Sequence, residues 1–305
     1  MGGTLKPDPT PAEGPDPYAN PDPDPEWLRV DWRQRLGRAR VGSAEVNYVE
    51  AGSGPKTLLF VHGLSGSWQN WLEQLPAFAA THRVVALDLP GFGGSPMPEW
   101  EISVEAYGRL LHDFCESAGI ERCAVIGSSM GGFIAAEAVS SEQERFERLV
   151  LVSAAGVSHA EWRKEPAEAL GRVAAAAAPM ALAWQKRALR RPGLRRLAFR
   201  QLVHWPLRIR RELLWEQFAH GAAKPGFLPA LRSLVGYDLL DRLEQVELPA
   251  LIVWGREDRI VPSEDAAGYA RRLRNSQTVI MAETGHLPQL ERPARFNRAL
   301  AAFLR

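Results

Sequence analysis

Gly127-Ser128-Ser129-Met130-Gly131 follows directly on the apolar run Cys123-Ala124-Val125-Ile126. A short continuous apolar run is what a strand buried on both faces requires. The residues after it, 131–139, are helical in composition. The chain must therefore turn from strand to helix within a few residues, and the flanking glycines give that turn room. The serine is lifted clear of the backbone at the head of a helix, where free N–H groups and the helix dipole favour negative charge. A serine hydroxyl is a poor nucleophile until a base takes its proton. The motif thus commits this stretch to an α/β fold and predicts a histidine and an acid elsewhere.

The rest of the chain repeats the alternation. Residues 45–50, 58–61, 83–87, 123–126, 148–152, 250–254 and 278–281 read as strands. Residues 68–79, 102–118, 131–139, 263–273 and 294–304 read as helices. Strands alternating with helices predict a mostly parallel sheet covered on both faces. Residues 156–237 interrupt the pattern; they are Ala- and Leu-rich and too long for a plain loop. They are expected to form a helical cap over the strand ends, where open parallel sheets bind ligands. The expected division is a core of 27–155 and 238–305, the cap, and a tail of 1–26. Eight prolines and four aspartates within residues 1–25 predict an extended, mobile tail.

A net charge of +1 excludes a global field that would steer the chain to nucleic acid. Cys115 and Cys123 form neither a disulfide framework nor a metal-ligand spacing and read as buried apolar residues. The longest apolar stretch, 173–183, has 11 residues, well short of the roughly 20 a membrane span needs. No basic-then-apolar leader opens the sequence, so the expected compartment is cytoplasmic. Nucleotide-binding glycine motifs are also missing, and neither cofactor nor metal is expected.

Asp258 lies four residues past a predicted strand, and His286 just past the last one. Both belong at the strand C-terminal edge with Ser129, in the order Ser, Asp, His. An imidazole can shuttle the serine proton. A carboxylate on its other nitrogen fixes the tautomer and stabilises the imidazolium. Asp241, Glu257 and Asp265 are rival acids, and Asp88 follows another strand. An oxyanion needs two backbone donors. Position points to the N–H of Met130 and to that of Leu64 in His62-Gly63-Leu64-Ser65-Gly66. His62 and Asp88 read as structural.

Val61-His62-Gly63, Asp88 to Ser95, Gly127 to Gly132, Gly255 to Asp258 and Gly285-His286 together resemble the α/β-hydrolase superfamily, over roughly residue 45 to the C-terminus. The resemblance implies eight strands, a helical cap after strand six, and a triad of Ser129 nucleophile, Asp258 acid and His286 base. It implies a serine hydrolase that cleaves carboxylic esters through an acyl-enzyme. Members with an aspartate nucleophile do not match Ser129. The Ser-Met-Gly-Gly stretch also looks like that of carbon–carbon bond hydrolases of ring-cleavage products, which usually carry Trp where this chain has Leu287. A slow-turnover binding protein on the same fold is a further alternative.

Trp184, Trp205, Trp215 and Phe218 are the aromatic candidates for an apolar substrate pocket, which suits a small apolar ester. Residues 184–211 carry ten basic side chains and no acidic one. Such a face suits an anionic surface or an acidic carrier protein, or is simply solvated.

Overall fold

In the computed structural model the apolar runs pair into one sheet. Residues 17–158, 180, 183–184, 186–220 and 224–305 are described. The strands are β1 (Leu36–Val41), β2 (Ala44–Ala51), β3 (Thr57–Val61), β4 (Arg83–Leu87), β5 (Cys123–Ser128), β6 (Phe146–Val152), β7 (Ala250–Gly255) and β8 (Ser276–Met281). Their order is β1-β2-β4-β3-β5-β6-β7-β8. β1 and β2 pair antiparallel, as do β2 and β4, and every other pairing is parallel. The sheet is thus the eight-stranded, mostly parallel one the resemblance implied.

Alternate residues of each strand feed opposite faces, as the pleat requires. Leu59 and Val61 enter one core with Val125, Leu151 and Ile252. Leu58 and Phe60 enter the other with Ile126, Val152 and Val253. The first face is covered by α3 (Val104–Ser117), α4 (Met130–Ser141) and α8 (Asp265–Arg272). The second is covered by α2 (Leu75–Ala79), α10 (Pro293–Leu304) and the 3-10 turn Trp68–Trp71. Both cysteines are buried.

Between β6 and β7 the described elements are helical: α5 (Pro192–Phe199), α6 (Arg211–Ala219), α7 (Phe227–Leu234) and the 3-10 turn Leu240–Gln245. This inserted segment touches loops that follow strand C-termini. Asn70 Nδ2 donates to Gln217 Oε1 at 3.0 Å, Gly226 N–H to the Gly91 carbonyl at 3.1 Å, and His286 N–H to the Leu202 carbonyl at 2.9 Å. Much of its beginning, residues 159–179, lies outside the described residues.

The tail corrects one expectation. Residues 1–16 lie outside the described residues, but 17–26 do not run free. Ala19 is 3% exposed, and its N–H donates to the Glu291 carbonyl at 2.7 Å. Asn20 Nδ2 bonds Glu73 Oε2 at 2.8 Å, and Trp27, ahead of the 3-10 turn Trp32–Arg35, bonds Glu73 Oε1 at 3.0 Å. The proline composition pointed to extension; Tyr18, Ala19 and Trp27 supply the apolar surface that docks the segment. Trp27 lies in the short helix α1 (Glu26–Arg29).

Candidate active site

Ser129 sits between β5 and α4 with φ 55° and ψ −121°, a left-handed conformation costly for any residue with a Cβ. Its N–H donates to the Val152 carbonyl at 2.9 Å, and its own carbonyl accepts from Gly132, Phe133 and Ala155. The turn is therefore tied to β6 on both sides. A Cβ on Gly127 would lie 2.2 Å from the Gly131 carbonyl oxygen, and one on Gly131 2.4 Å from the oxygens of Val61 and His62. Close approach of backbones explains the glycines at these positions.

The loop after β3 lies against the serine: a Cβ built on Gly63 would be 2.9 Å from Ser129 Cβ. His62 orders this loop. Its Nδ1–H donates to the Gly63 carbonyl at 2.7 Å, and Nε2 accepts the Leu89 N–H at 3.0 Å. Burial pushes this imidazole below its ordinary 6.5, against the opposing pull of Asp88. Asp88 is committed to its turn, accepting from Trp68 N–H, Asn47 Nδ2 and Gly94 N–H at 2.7, 2.7 and 2.8 Å. The N–H of Met130 belongs to the first residue of α4, where no intrahelical acceptor exists. Among the described residues neither it nor the Leu64 N–H meets a protein acceptor.

Asp258 and His286 come together across 28 residues. His286 Nδ1 lies 2.8 Å from Asp258 Oδ2, and the Asp258 side chain is wholly buried. Asp258 Oδ1 accepts the N–H groups of Ile260 and Val261 at 2.8 and 3.0 Å, which fixes the carboxyl. A carboxylate opposite Nδ1 requires the proton there and leaves Nε2 as an acceptor. Ser128 Oγ accepts from Gln289 Nε2 at 3.3 Å, joining the β5 rim to the residues after His286. Ser129 Oγ and His286 Nε2 are not themselves hydrogen-bonded among the described residues; such contacts often tighten only with substrate.

Sequence reading missed Glu291, in the short helix α9 (Pro288–Glu291). Its carboxyl is fully buried and accepts the N–H groups of Gly285 and Leu287, the two neighbours of His286, at 2.9 and 3.2 Å. Burial pushes it up to about 7, against the hydrogen bonds it accepts. The available signal was a lone acid four residues after Leu287 in an apolar stretch.

The family model for the alpha/beta hydrolase fold matches residues 56–293. The chain belongs to the α/β-hydrolase family. It is 30% identical over 278 residues to the dihydrolipoyllysine-residue acetyltransferase component of the acetoin cleaving system of Pseudomonas putida, covering 88% of this chain and 69% of that protein. It is 29% identical over 272 residues to the 2-hydroxy-6-oxononadienedioate/2-hydroxy-6-oxononatrienedioate hydrolase of Paraburkholderia phymatum, covering 85% of this chain and 90% of that protein. Among solved structures, a thermophilic esterase from Thermogutta terrifontis matches with a TM-score of 0.72 at 25% identity, covering 88% of this chain and 98% of that one.

In this α/β hydrolase the rival acids have other tasks. Glu257 Oε2 accepts the Thr284 N–H at 2.8 Å, and Asp265 Oδ2 the Ser158 N–H at 3.0 Å, while Asp241 lies in the 3-10 turn before β7. The aromatic candidates scatter. Trp184 and Trp205 are 40% and 42% exposed, and Trp205 is a platform for the Arg208 guanidinium 5.5 Å above it. Trp215 packs against the second core with Lys186 5.4 Å above its ring. The Phe218 side chain lies outside the described residues. Among the described residues no helix is long and apolar enough to cross a membrane.

Proposed function

We propose that this hydrolase cleaves small apolar carboxylic esters through an acyl-enzyme on Ser129. Ser129 Oγ attacks the carbonyl carbon while His286 Nε2 takes its proton. The carbonyl oxygen becomes an oxyanion supported by the N–H groups of Leu64 and Met130. Collapse expels the alkoxide, which takes the proton from His286. Water, deprotonated by His286, then releases the acid and restores Ser129. Asp258 keeps the Nδ1 proton in place and offsets the charge on the imidazolium.

The observation that carries this reading is the His286 Nδ1 to Asp258 Oδ2 contact of 2.8 Å, made with a buried carboxyl. The likeness to a thermophilic esterase lends support. A series of p-nitrophenyl esters from acetate to palmitate tests it. Ser129→Ala is expected to lower turnover by a factor on the order of 10³ or more, and a fluorophosphonate probe to label Ser129 in the parent. Undiminished turnover in S129A would end the assignment.

A second reading is favoured by the 29% identity to the Paraburkholderia phymatum hydrolase: carbon–carbon cleavage of a vinylogous diketone. Turnover of such a diketone with negligible ester hydrolysis would select it. Leu287, where such enzymes usually carry Trp, speaks for the ester.

A further inference from the structure

Tyr18 lies 273 residues from Glu291 in the chain, yet its hydroxyl donates to Glu291 Oε2 at 2.6 Å. The same Oε2 accepts the N–H of His204 at 2.7 Å and that of Gly285 at 2.9 Å, while Oε1 accepts the Leu287 N–H at 3.2 Å. The Tyr18 oxygen in turn accepts the Trp205 N–H at 2.8 Å. One buried carboxyl therefore joins three pieces of chain: the N-terminal segment, residues 202–205 of the inserted segment, and the loop that carries His286. Tyr18 is not a stray surface contact. Ala19 N–H reaches the Glu291 carbonyl, and the Arg292 guanidinium stands 4.9 Å over the Tyr18 ring.

We propose that Tyr18 is a positioning residue for His286: through Glu291 its hydroxyl fixes the backbone on both sides of the imidazole, and through Trp205 it fastens the inserted segment to the same loop. This rests on the reading of His286 as general base. The physical reason is lone-pair accounting. Four donors converge on the Glu291 carboxyl, and only the ionised form offers acceptor sites to all of them without a competing O–H. Loss of the Tyr18 hydroxyl leaves a buried carboxylate one donor short and the Trp205 N–H without its protein acceptor. The loop then gains a rival arrangement in which Glu291 is protonated and one flanking N–H bond is lost. The titratable and charged groups around this cluster are Tyr18, His204, Glu257, Arg259, Glu283, His286 and Arg292.

Two measurements on the full chain test this. The first is solvent exchange of the His286 Nδ1 proton by NMR, which reports how firmly the loop holds the imidazole on Asp258 whatever the reaction. Tyr18→Phe is expected to speed that exchange about tenfold, the equivalent of one hydrogen bond to a charged group. The second is the pH profile of ester turnover. In Y18F kcat is expected to fall about tenfold with KM unchanged. The acid limb is expected to move to higher pH, because a donor that holds the Glu291 carboxyl ionised has gone. In a Glu291→Gln background, Y18F should add less than about twofold to either readout. A proton exchange rate unchanged in Y18F, or losses that simply multiply in the double variant, would overturn the proposal. Altered exchange in a protein without ester turnover would keep Tyr18 in its role and discard the esterase reading instead.

Discussion

Ser129 is held in a backbone conformation that only glycine adopts freely, and it is not alone. Of the non-glycine residues with positive φ among those described, Ser65, Ser129, Ser153 and Glu283 all lie just past strand C-termini, and Ala19 is the one elsewhere. Strain of this kind persists where surrounding contacts over-determine it; at Ser129 those contacts are the bonds to Val152, Gly132, Phe133 and Ala155. Ser129→Gly is therefore expected to be more stable than Ser129→Ala by about 1 kcal/mol, with both lacking ester turnover. Urea midpoints of the two variants decide it; equal midpoints would mean that the turn stores no strain.

At the scale of elements, the elbow depends on how closely α4 approaches the end of β3. A Cβ on Gly131 would meet the backbone oxygens of Val61 and His62 at 2.4 Å, and neither can swing aside. Gly131→Ala is expected to cost about 3 kcal/mol or more, read from denaturant unfolding or from loss of folded protein. Gly193, in α5, has nothing within 4 Å of a built Cβ. Gly193→Ala there should gain up to about 1 kcal/mol. The same contrast explains what the sequence could reveal. β3 to β7 are apolar enough to be read as buried strands, β8 was read only over its apolar half, 278–281, and β4 was read with its observed ends, Arg83–Leu87. β1 escaped because an edge strand reading Leu-Gly-Arg-Ala-Arg-Val carries polar side chains on its open face and has too weak an alternation. The expected helix over 68–79 divides into the 3-10 turn Trp68–Trp71 and α2, with Pro76 near the start of α2. His286 and Asp258 were legible because their turns follow strands. Tyr18 was not, since it shows its task only against a partner 273 residues away, and Glu291 was not, since nothing in an acid four residues after Leu287 tells that its carboxyl is buried and turned back onto the backbone around His286.

For the molecule as a whole, Glu291 bears on stability as well as on the site. Its folded-state value of about 7 stands above the ordinary 4.5. The native state therefore keeps a proton that the unfolded chain releases between those values, and stability from this group is full at low pH and lost as pH rises through about 7. Relative to Glu291→Gln, the parent should lose about 3 kcal/mol between pH ~4.5 and ~7 and show no further divergence outside that window. Urea titrations of both proteins at several pH values measure it, and parallel curves would show that Glu291 titrates normally. The variant comparison cancels His62, whose lowered value acts in the opposite sense. The bond from Tyr18 to Glu291 has one more consequence, set by its sequence separation of 273 residues. A ribosome makes Tyr18 well before its acceptor, so a nascent chain can build most of its sheet while this clasp still waits. Competence then waits until β8 and α9 have both emerged.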